Sequence, residues 1–153
     1  LAGLLAACVG AASDARYASP DTPGSELVVT FKHPGQVSEH FRELSSEEQA
    51  RTPIHMRRPR IYQRERADVH MRVTVDGRVV VDRVYSPKGL WHDGNSIAVE
   101  SLAVPVGARQ IAIEIGDSHE HDEWPFRMTQ QLEFTHDARH VISFDRSSGF
   151  VVH

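Results

Sequence analysis

The chain has 153 residues, of which 17 are Lys or Arg and 21 are Asp or Glu, so its formal net charge is −4 at pH 7. This length fits one domain with a tail, and the acidic balance excludes a protein whose whole surface binds nucleic-acid phosphates. With 40% hydrophobic and 25% charged residues the chain is not disordered throughout, and its single cysteine, Cys8, excludes an internal disulfide and any site built from several thiolates.

The first twelve residues are apolar and differ from the rest of the chain. Leu1–Ala12 carries no charge, but twelve helical residues span only about 18 Å, against about 30 Å for a hydrocarbon core. Because the sequence begins with Leu rather than Met, we expect residues 1–17 to be the C-terminal part of a transmembrane anchor helix. Asp14 and Arg16 end the apolar run, and residues 18–24 form a linker whose two prolines stop the helix.

Two other interpretations of this segment stay open. Leu5-Ala6-Ala7-Cys8 has the small residues before a cysteine that a lipoprotein signal requires, and the segment also suits an apolar helix packed in a soluble core. An anchor or a lipid places the domain after residue 24 outside the cytoplasm. We therefore expect a single-pass protein of the bacterial inner membrane with its folded domain in the periplasm.

From Ser25 onward the hydrophobic pattern has a period of two, which is typical of half-buried β-strands. Asp76-Gly77 separates two valine-rich runs and predicts a type I′ turn in a hairpin over residues 68–85. The predicted strands are Leu27–Phe31, Val69–Val75, a strand ending at Tyr85, Ile97–Val104, Ile111–Ile115, Phe126–Phe134, Val141–Phe144 and Phe150–Val152. We expect residues 25–153 to form an all-β domain, an immunoglobulin-like antiparallel β-sandwich of seven to eight strands.

One short helix and one long loop are predicted between the first two of these strands. Ser45 and Glu48 have the spacing of a capping box, so Ser45–Arg51 is predicted to be helical. Pro53 ends this helix. Residues 53–66 show no hydrophobic period and are predicted to be a loop that crosses the domain.

This loop contains an unusual concentration of arginine. Residues 51–66 include only one acid, Glu65, and the arginines Arg51, Arg57, Arg58, Arg60, Arg64 and Arg66. Guanidinium groups suit carboxylates, backbone carbonyls and lipid phosphates. One interpretation is a partner-binding surface made by Arg57, Arg58, Arg60, Tyr62 and Arg64. The other is internal pairing with the acidic run Asp117, Glu120, Asp122 and Glu123, which contributes little to stability when exposed.

Trp91 is a further candidate for partner binding, and it lies between Gly89 and Gly94. Trp91 occurs in the segment Gly89–Asn95, and it is either an exposed binding tip or a core residue that closes one end of the domain. We include Trp91 with the partner-binding residues. Trp124, before Pro125, has the same two interpretations.

The densest group of possible metal ligands is His119-Glu120-His121-Asp122-Glu123. Zinc or copper would need a further ligand, such as His92, His136 or His140, and a solvated polar loop explains the pattern as well. No motif of a nucleophile, a metalloprotease or a phosphate-binding loop occurs. We therefore expect no enzyme activity, no metal and no cofactor, with an extracytoplasmic metal- or ligand-binding carrier that uses His119–Glu123 as the alternative.

Several stretches together resemble a known group of proteins. They are Met56-Arg57-Arg58-Pro59 with Arg64-Glu65-Arg66, Gly89-Leu90-Trp91 with Asp93-Gly94, Val104–Arg109, and Ile142–Asp145 with Gly149–Val151. The chain resembles poorly characterised bacterial proteins with one membrane helix and an extracytoplasmic β-sandwich, which are similar to accessory subunits of membrane energy-transducing complexes. The resemblance implies a non-catalytic subunit that binds and stabilises a larger respiratory or photosynthetic electron-transport complex. Its partners would be integral membrane subunits and, through the N-terminal helix, the lipid bilayer, but no nucleic acid.

Overall fold

The strands follow the alternation of apolar and polar residues along the chain. A computed structural model describes residues 24–58, 60–120 and 122–153, and this part of the protein is all-β. Its strands are β1 (Ser25–His33), β2 (Val37–Glu43), β3 (Arg60–Arg66), β4 (Val69–Val75), β5 (Arg78–Tyr85), β6 (Ser96–Val104), β7 (Gly107–Gly116), β8 (Phe126–Phe134), β9 (Arg139–Asp145) and β10 (Gly149–Val152). One α-helix, α1 (Ser46–Arg51), and a 3₁₀ turn at Ile54–Met56 lie between β2 and β3.

These strands form three sheets. Sheet 1 has the order β10-β9-β1-β6, sheet 2 has the order β5-β4-β7-β8, and β2 pairs only with β3. All neighbouring strands are antiparallel except β1 and β9, which run parallel. The expectation of a wholly antiparallel arrangement is therefore wrong at this one pair.

Sheets 1 and 2 share one hydrophobic core. Every second side chain of β1 and of β4 is buried, from Leu27 to Phe31 and from Val69 to Val73. The same core cluster contains Ile111, Ile113 and Ile115 of β7 and Ile142 and Phe144 of β9. Burial of apolar surface between the two sheets is thus the main source of stability, at roughly 25 cal/mol for each Å² removed from water.

Two local predictions are confirmed. β4 and β5 form the expected hairpin, and Asp76 and Gly77 at its turn have φ values of 49° and 81°, both positive as a type I′ turn requires. Helix α1 begins after Ser45, whose side chain accepts a hydrogen bond from the Glu48 amide while the Glu48 carboxylate accepts one from the Ser45 amide. This is the predicted capping box.

Two other predictions need correction. Residues 53–66 are not one long loop, because Arg60–Arg66 is strand β3, paired along its whole length with β2. Ten strands, rather than seven or eight, occur in the part of the chain that the structure describes. The described side chains of the two additional strands are largely exposed, so neither strand has the apolar alternation by which a buried face is predicted.

The predicted anchor, residues 1–17, and the linker up to residue 23 lie outside the described residues. Among the helices within residues 24–153 that are described, none is long and apolar enough to span a membrane.

Candidate functional site

The arginine-rich segment lies in a two-stranded unit that is separate from the two larger sheets. We call residues 37–66 the ribbon: it consists of β2, α1, the 3₁₀ turn and β3. Its strands pair from Val37 opposite Arg66 to Glu43 opposite Arg60, and they hydrogen-bond to neither of the larger sheets. Isolated two-stranded ribbons are only marginally stable in water. The ribbon therefore depends on how its base is attached to the rest of the domain.

The base of the ribbon is fastened to residue 117 by backbone and side-chain hydrogen bonds. The Gln36 amide donates to the Asp117 carbonyl at 2.7 Å, and the Gln36 side-chain amide donates to the Asp117 carboxylate at 3.2 Å. The Ala67 amide donates to the Gln36 carbonyl at 2.8 Å. At Gly35 the two chain segments cross so closely that a Cβ would lie 1.9 Å from the Ala67 carbonyl oxygen, so only glycine fits there.

Asp117 is itself held by a buried histidine. Nε2 of His33 lies 2.9 Å from the Asp117 carboxylate, and both side chains are almost completely buried. The His33 ring makes edge contacts with Phe126 and Phe144, each at 5.3 Å between centroids, and its Nδ1 is buried with no hydrogen-bond partner among the described residues. A histidine–carboxylate pair can act in acid–base catalysis only where substrate reaches it. This pair is closed off from solvent and positions the base of the ribbon.

Sequence reasoning does not find this pair. His33 continues the odd-numbered apolar positions of β1, which is a signal that its side chain points into the core. The sequence places Asp117 in an acidic run, and nothing local distinguishes it from its neighbours. Only the meeting of β1 with the end of β7 brings the two residues together.

The tip of the ribbon is ordered by charge and capping rather than by burial. Helix α1 has no buried residue. Two hydrogen bonds of 3.0 and 3.1 Å from the Arg42 guanidinium to the Glu48 carboxylate join β2 to the helix. This guanidinium, with the Ser45 amide, lowers the pKa of Glu48 to about 2. The tip thus keeps its shape through exposed polar contacts.

The four predicted arginines differ in how far they are engaged within the ribbon. Arg60 forms an exposed ion pair with Glu43 at 3.3 Å, and Arg57 donates to the Thr52 carbonyl at 2.9 Å. The side chains of Arg58 and Arg64 are exposed and have no ion pair or hydrogen bond with any residue that the structure describes. The backbone of Tyr62 lies in β3, opposite Phe41 in β2; its side chain lies outside what the structure describes.

The alternative of internal pairing with the acidic run is not what the structure shows. Asp117 is buried with His33, whereas Glu120, Asp122 and Glu123 are exposed. Within residues 24–58, 60–120 and 122–153, no ion pair joins a ribbon arginine to any of these carboxylates. The exposed guanidinium groups therefore face solvent.

Apolar side chains are exposed beside these arginines. Phe41 in β2, Ile61 in β3, and Ile54 and Met56 in the 3₁₀ turn are all exposed, Ile54 to 81%. A surface that combines aromatic, Met and Arg side chains has the composition enriched in protein–protein interfaces. The ribbon thus carries both components of such an interface.

Trp91 belongs to the same end of the molecule as the base of the ribbon. Trp91 and its neighbour Leu90 are 77% and 85% exposed, so Trp91 is a surface residue and not a core plug. The Arg66 guanidinium of β3 donates to the Asp93 carbonyl at 2.6 Å and to the Gly35 carbonyl at 3.1 Å. The ribbon base and the Trp91 loop (residues 89–94) are therefore held together.

The histidine-rich segment forms the loop between β7 and β8. Ser118 exchanges hydrogen bonds with the backbone of Glu120, which shapes the loop as a turn. His121 lies outside the described residues, and in the remainder no group of three His, Cys, Asp or Glu side chains is close enough to bind a metal ion. Trp124 packs on His70 and over the Arg72 guanidinium, at 4.6 and 4.7 Å, so it is neither an exposed tip nor a core plug.

A groove of about 650 Å³ lies between the edges of β5 and β6. Its lining is mainly aliphatic and includes Val79, Val80 and Leu102. Asp76 is its one carboxylate, and it is engaged by the Gln110 amide at 2.9 Å and by Arg109 at 3.1 Å, which hold its pKa below the usual value. The groove offers no pair of groups for proton transfer.

Comparison with known proteins assigns no function. No protein-family model, no curated protein and no solved structure matches the chain.

Proposed function

We propose that the protein is a non-catalytic, membrane-anchored accessory subunit that binds a larger membrane protein complex through the ribbon and the Trp91 loop. The observation that carries this proposal is the ribbon itself, which is exposed on both faces yet fastened at its base to a buried His–Asp pair. A segment that adds little to the core but is rigidly attached to it is suited to presenting side chains to a partner.

The chemistry of the ribbon supports a protein partner with both apolar and acidic surface. Ile54 and Met56 at the 3₁₀ turn offer apolar contact area, and Arg58 and Arg64 offer guanidinium groups that have no ion pair with any described residue. Desolvated contacts of arginine with carboxylates or carbonyls are stronger than the same contacts in water. Such a partner would satisfy the guanidinium groups and cover the apolar side chains together.

The remaining parts of the proposal concern architecture and location. The shared core of two four-stranded sheets supports an immunoglobulin-like β-sandwich. The apolar composition of residues 1–12 supports an anchor in the bacterial inner membrane, with the sandwich in the periplasm. The resemblance noted above supports a respiratory or photosynthetic electron-transport complex as the partner.

The test replaces arginines of the ribbon in the full chain. Changing Arg57, Arg58, Arg60 and Arg64 to Gln should alter the free energy of unfolding by no more than about 1 kcal/mol, because exposed charges contribute little to stability. The same variant should no longer co-purify with the membrane complex that the wild-type chain retains in mild detergent. Mass identification of the retained proteins names the partner.

A matched pair of variants controls for loss of charge alone. Arg58→Gln/Arg64→Gln removes two exposed arginines of the ribbon, and Arg78→Gln/Arg146→Gln removes two exposed arginines elsewhere; none of the four has an ion pair among the described residues. The first variant should weaken co-purification and make it salt-sensitive, while the second should not. A ribbon variant that melts early but stays bound would contradict the proposal.

A further inference from the structure

The outer faces of the two large sheets differ in composition. The outer face of sheet 2 is crossed by a row of alternating charge, Asp82, Arg72, Glu114 and Arg127, one residue from each strand. Successive members form ion pairs at 3.1, 3.8 and 3.6 Å, and His70 also binds Asp82. This face satisfies its own charges and suits contact with water.

The middle of the outer face of sheet 1 contains no Asp, Glu, Lys or Arg side chain. The strand register places two rows across it. The first row is Val151, Ser143, Thr30 and Val99, and the second is His153, Val141, Val28 and Ser101. Ile97 and Ala103 extend it along β6, and Val99 is 68% exposed. The result is a surface of small and β-branched side chains, with one imidazole, His153, on the β10 side.

The hydroxyl groups on this face are already engaged within the chain. Thr30 donates to the Ala98 carbonyl at 3.0 Å, Ser101 donates to the Glu26 carboxylate, and the Ser143 hydroxyl is hydrogen-bonded to the His153 ring at 2.9 Å. Burying a polar group costs free energy chiefly when its hydrogen bonds are lost. This face can therefore be covered by an apolar surface at little cost.

Asp, Glu, Lys and Arg residues lie only at the two ends of the face, and at each end both signs are present. At one end Glu26 of β1 lies beside Arg139 of β9 and is bonded to it. At the other end Lys32 and Asp145 follow the last paired residues of the same two strands. At the first end β1 carries the acid and β9 carries the base. At the second end β1 carries the base and β9 carries the acid.

We propose that the outer face of sheet 1 binds a second copy of this chain, around a two-fold axis that runs parallel to the strands between β1 and β9. Such an axis places β1 of one copy over β9 of the other, with the sheets about 10 Å apart. Glu26 then faces Arg139 of the second copy, Lys32 faces Asp145 of the second copy, and β-branched and hydroxyl residues meet in the middle.

Charge complementarity selects a second copy over other occupants. A lipid surface or an apolar helix provides no counterpart to both charged ends, whereas the two-fold axis supplies both from the same sequence. Because the axis runs parallel to the strands, it leaves residue 24 of both copies at one end of the dimer. If the anchor of the proposed function is correct, both anchors can enter the same membrane.

The first experiment measures self-association of the full chain by energy transfer between two fluorescently labelled populations in lipid vesicles. Val99→Lys buries a lysine against the other copy and should weaken self-association at least about tenfold. Val84→Lys, a matched control on the outer face of sheet 2 where Val84 is 50% exposed, should leave it unchanged. Equal association of the wild type and Val99→Lys would overturn the proposal.

The second experiment identifies the occupant. Glu26→Arg and Arg139→Glu each place like charges opposite one another in the dimer, so each variant alone should associate weakly. An equimolar mixture of the two should associate at least about tenfold more tightly, because positions 26 and 139 then again carry opposite charges across the interface. A mixture no tighter than either variant alone would overturn the dimer and indicate that lipid or residues 1–12 cover the face.

Self-association and partner binding are read out separately. The ribbon variants should still self-associate, and Val99→Lys should retain the ribbon and its arginines. Failure of one proposal therefore leaves the other testable on its own result.

Discussion

Asp117 connects the core to the ribbon through both its side chain and its backbone. Its carboxylate is bonded to His33 and Gln36, and its carbonyl accepts from the Gln36 amide. The residue lies one position beyond β7, where the chain leaves sheet 2. A single buried carboxylate thus determines how the candidate partner-binding surface is held.

Replacing Asp117 with Ala should lower the free energy of unfolding by about 2 to 4 kcal/mol, because His33 and Gln36 lose their acceptor and His33 remains buried. Asp117→Asn keeps one acceptor oxygen and should cost clearly less. Urea unfolding measures both. Equal stability of the alanine variant and the wild type would show that the pair does not hold the ribbon base.

Substitution of Gly77 tests whether the hairpin turn requires positive φ at this position. Its φ of 81° is strained for a β-branched side chain, although nothing lies within 4 Å of a Cβ built there. Gly77→Val should therefore destabilise the domain by about 1 to 2 kcal/mol through backbone strain alone. Gly77→Asn, which tolerates positive φ, should cost less, and the two melting temperatures should differ accordingly.

At the scale of elements, the ribbon and the sheets obtain their order differently. The strands of the sheets are held by burial of one face, and helix α1 is held by its capping box and by the Arg42–Glu48 pair. Because α1 buries no residue, its opening need not disturb the core. The ribbon tip is therefore expected to open locally, at a lower free energy than the domain.

The pH dependence of the tip follows from the Glu48 carboxylate. Its pKa is lowered from 4.5 to about 2 in the folded chain, chiefly by Arg42. The stabilisation of α1 by Glu48 is thus fully present above pH 4.5 and is lost as the pH falls toward 2. Amide exchange of α1 at decreasing pH should show this loss, and Glu48→Gln should remove the dependence while leaving the melting temperature of the core nearly unchanged.

At the scale of the whole molecule, the core formed by the described residues lies between the two large sheets. Its buried members come from β1 and from strands β4 to β9, and they lie between Leu27 and Phe144 in the sequence. The ribbon base and the Trp91 loop meet at the end of sheet 1 where β1 ends and β6 begins, whereas residue 24 lies at the opposite end of β1. The proposed partner-binding surface therefore adjoins one end of the proposed dimer face, and the anchor proposed for residues 1–17 precedes the other end.

A chain that begins at Ser25 should fold and stay soluble without detergent, because the core cluster of the described residues runs from Leu27 to Phe144 and the proposed anchor precedes it. Its far-UV circular dichroism and melting temperature should match those of the full chain in detergent. Aggregation that is reversed by restoring residues 1–12 would show instead that the apolar segment packs in the domain, as one of the alternative interpretations holds.

Sequence patterns predict the parts of this fold that have one buried face. Leu27, Val29 and Phe31 are buried as their period of two predicts, and the Asp76-Gly77 turn lies between the predicted strands. β2 and β3 could not be predicted in this way, because a strand exposed on both faces has no hydrophobic period. The concentration of arginines in the ribbon is enough to predict an exposed, positively charged surface from the sequence. The hydrogen bonds that attach the ribbon to Asp117 could not be predicted, because they join distant parts of the chain.

The position of β1 in the middle of sheet 1 has a consequence for how the chain acquires its structure. The partners of β1 are far away in sequence: Ser25 bonds to a residue 79 positions later in β6, and Glu26 to one 113 positions later in β9. Loops of this length close slowly, so domains rich in such pairings fold on the millisecond-to-second scale. During synthesis, β4, β5 and β7 can pair before β9 has been made. The apolar side chains of β1 stay exposed until then. Loss of residues 139–153 would remove the β9 partner of β1 permanently, and we expect such a chain to aggregate rather than to fold more loosely.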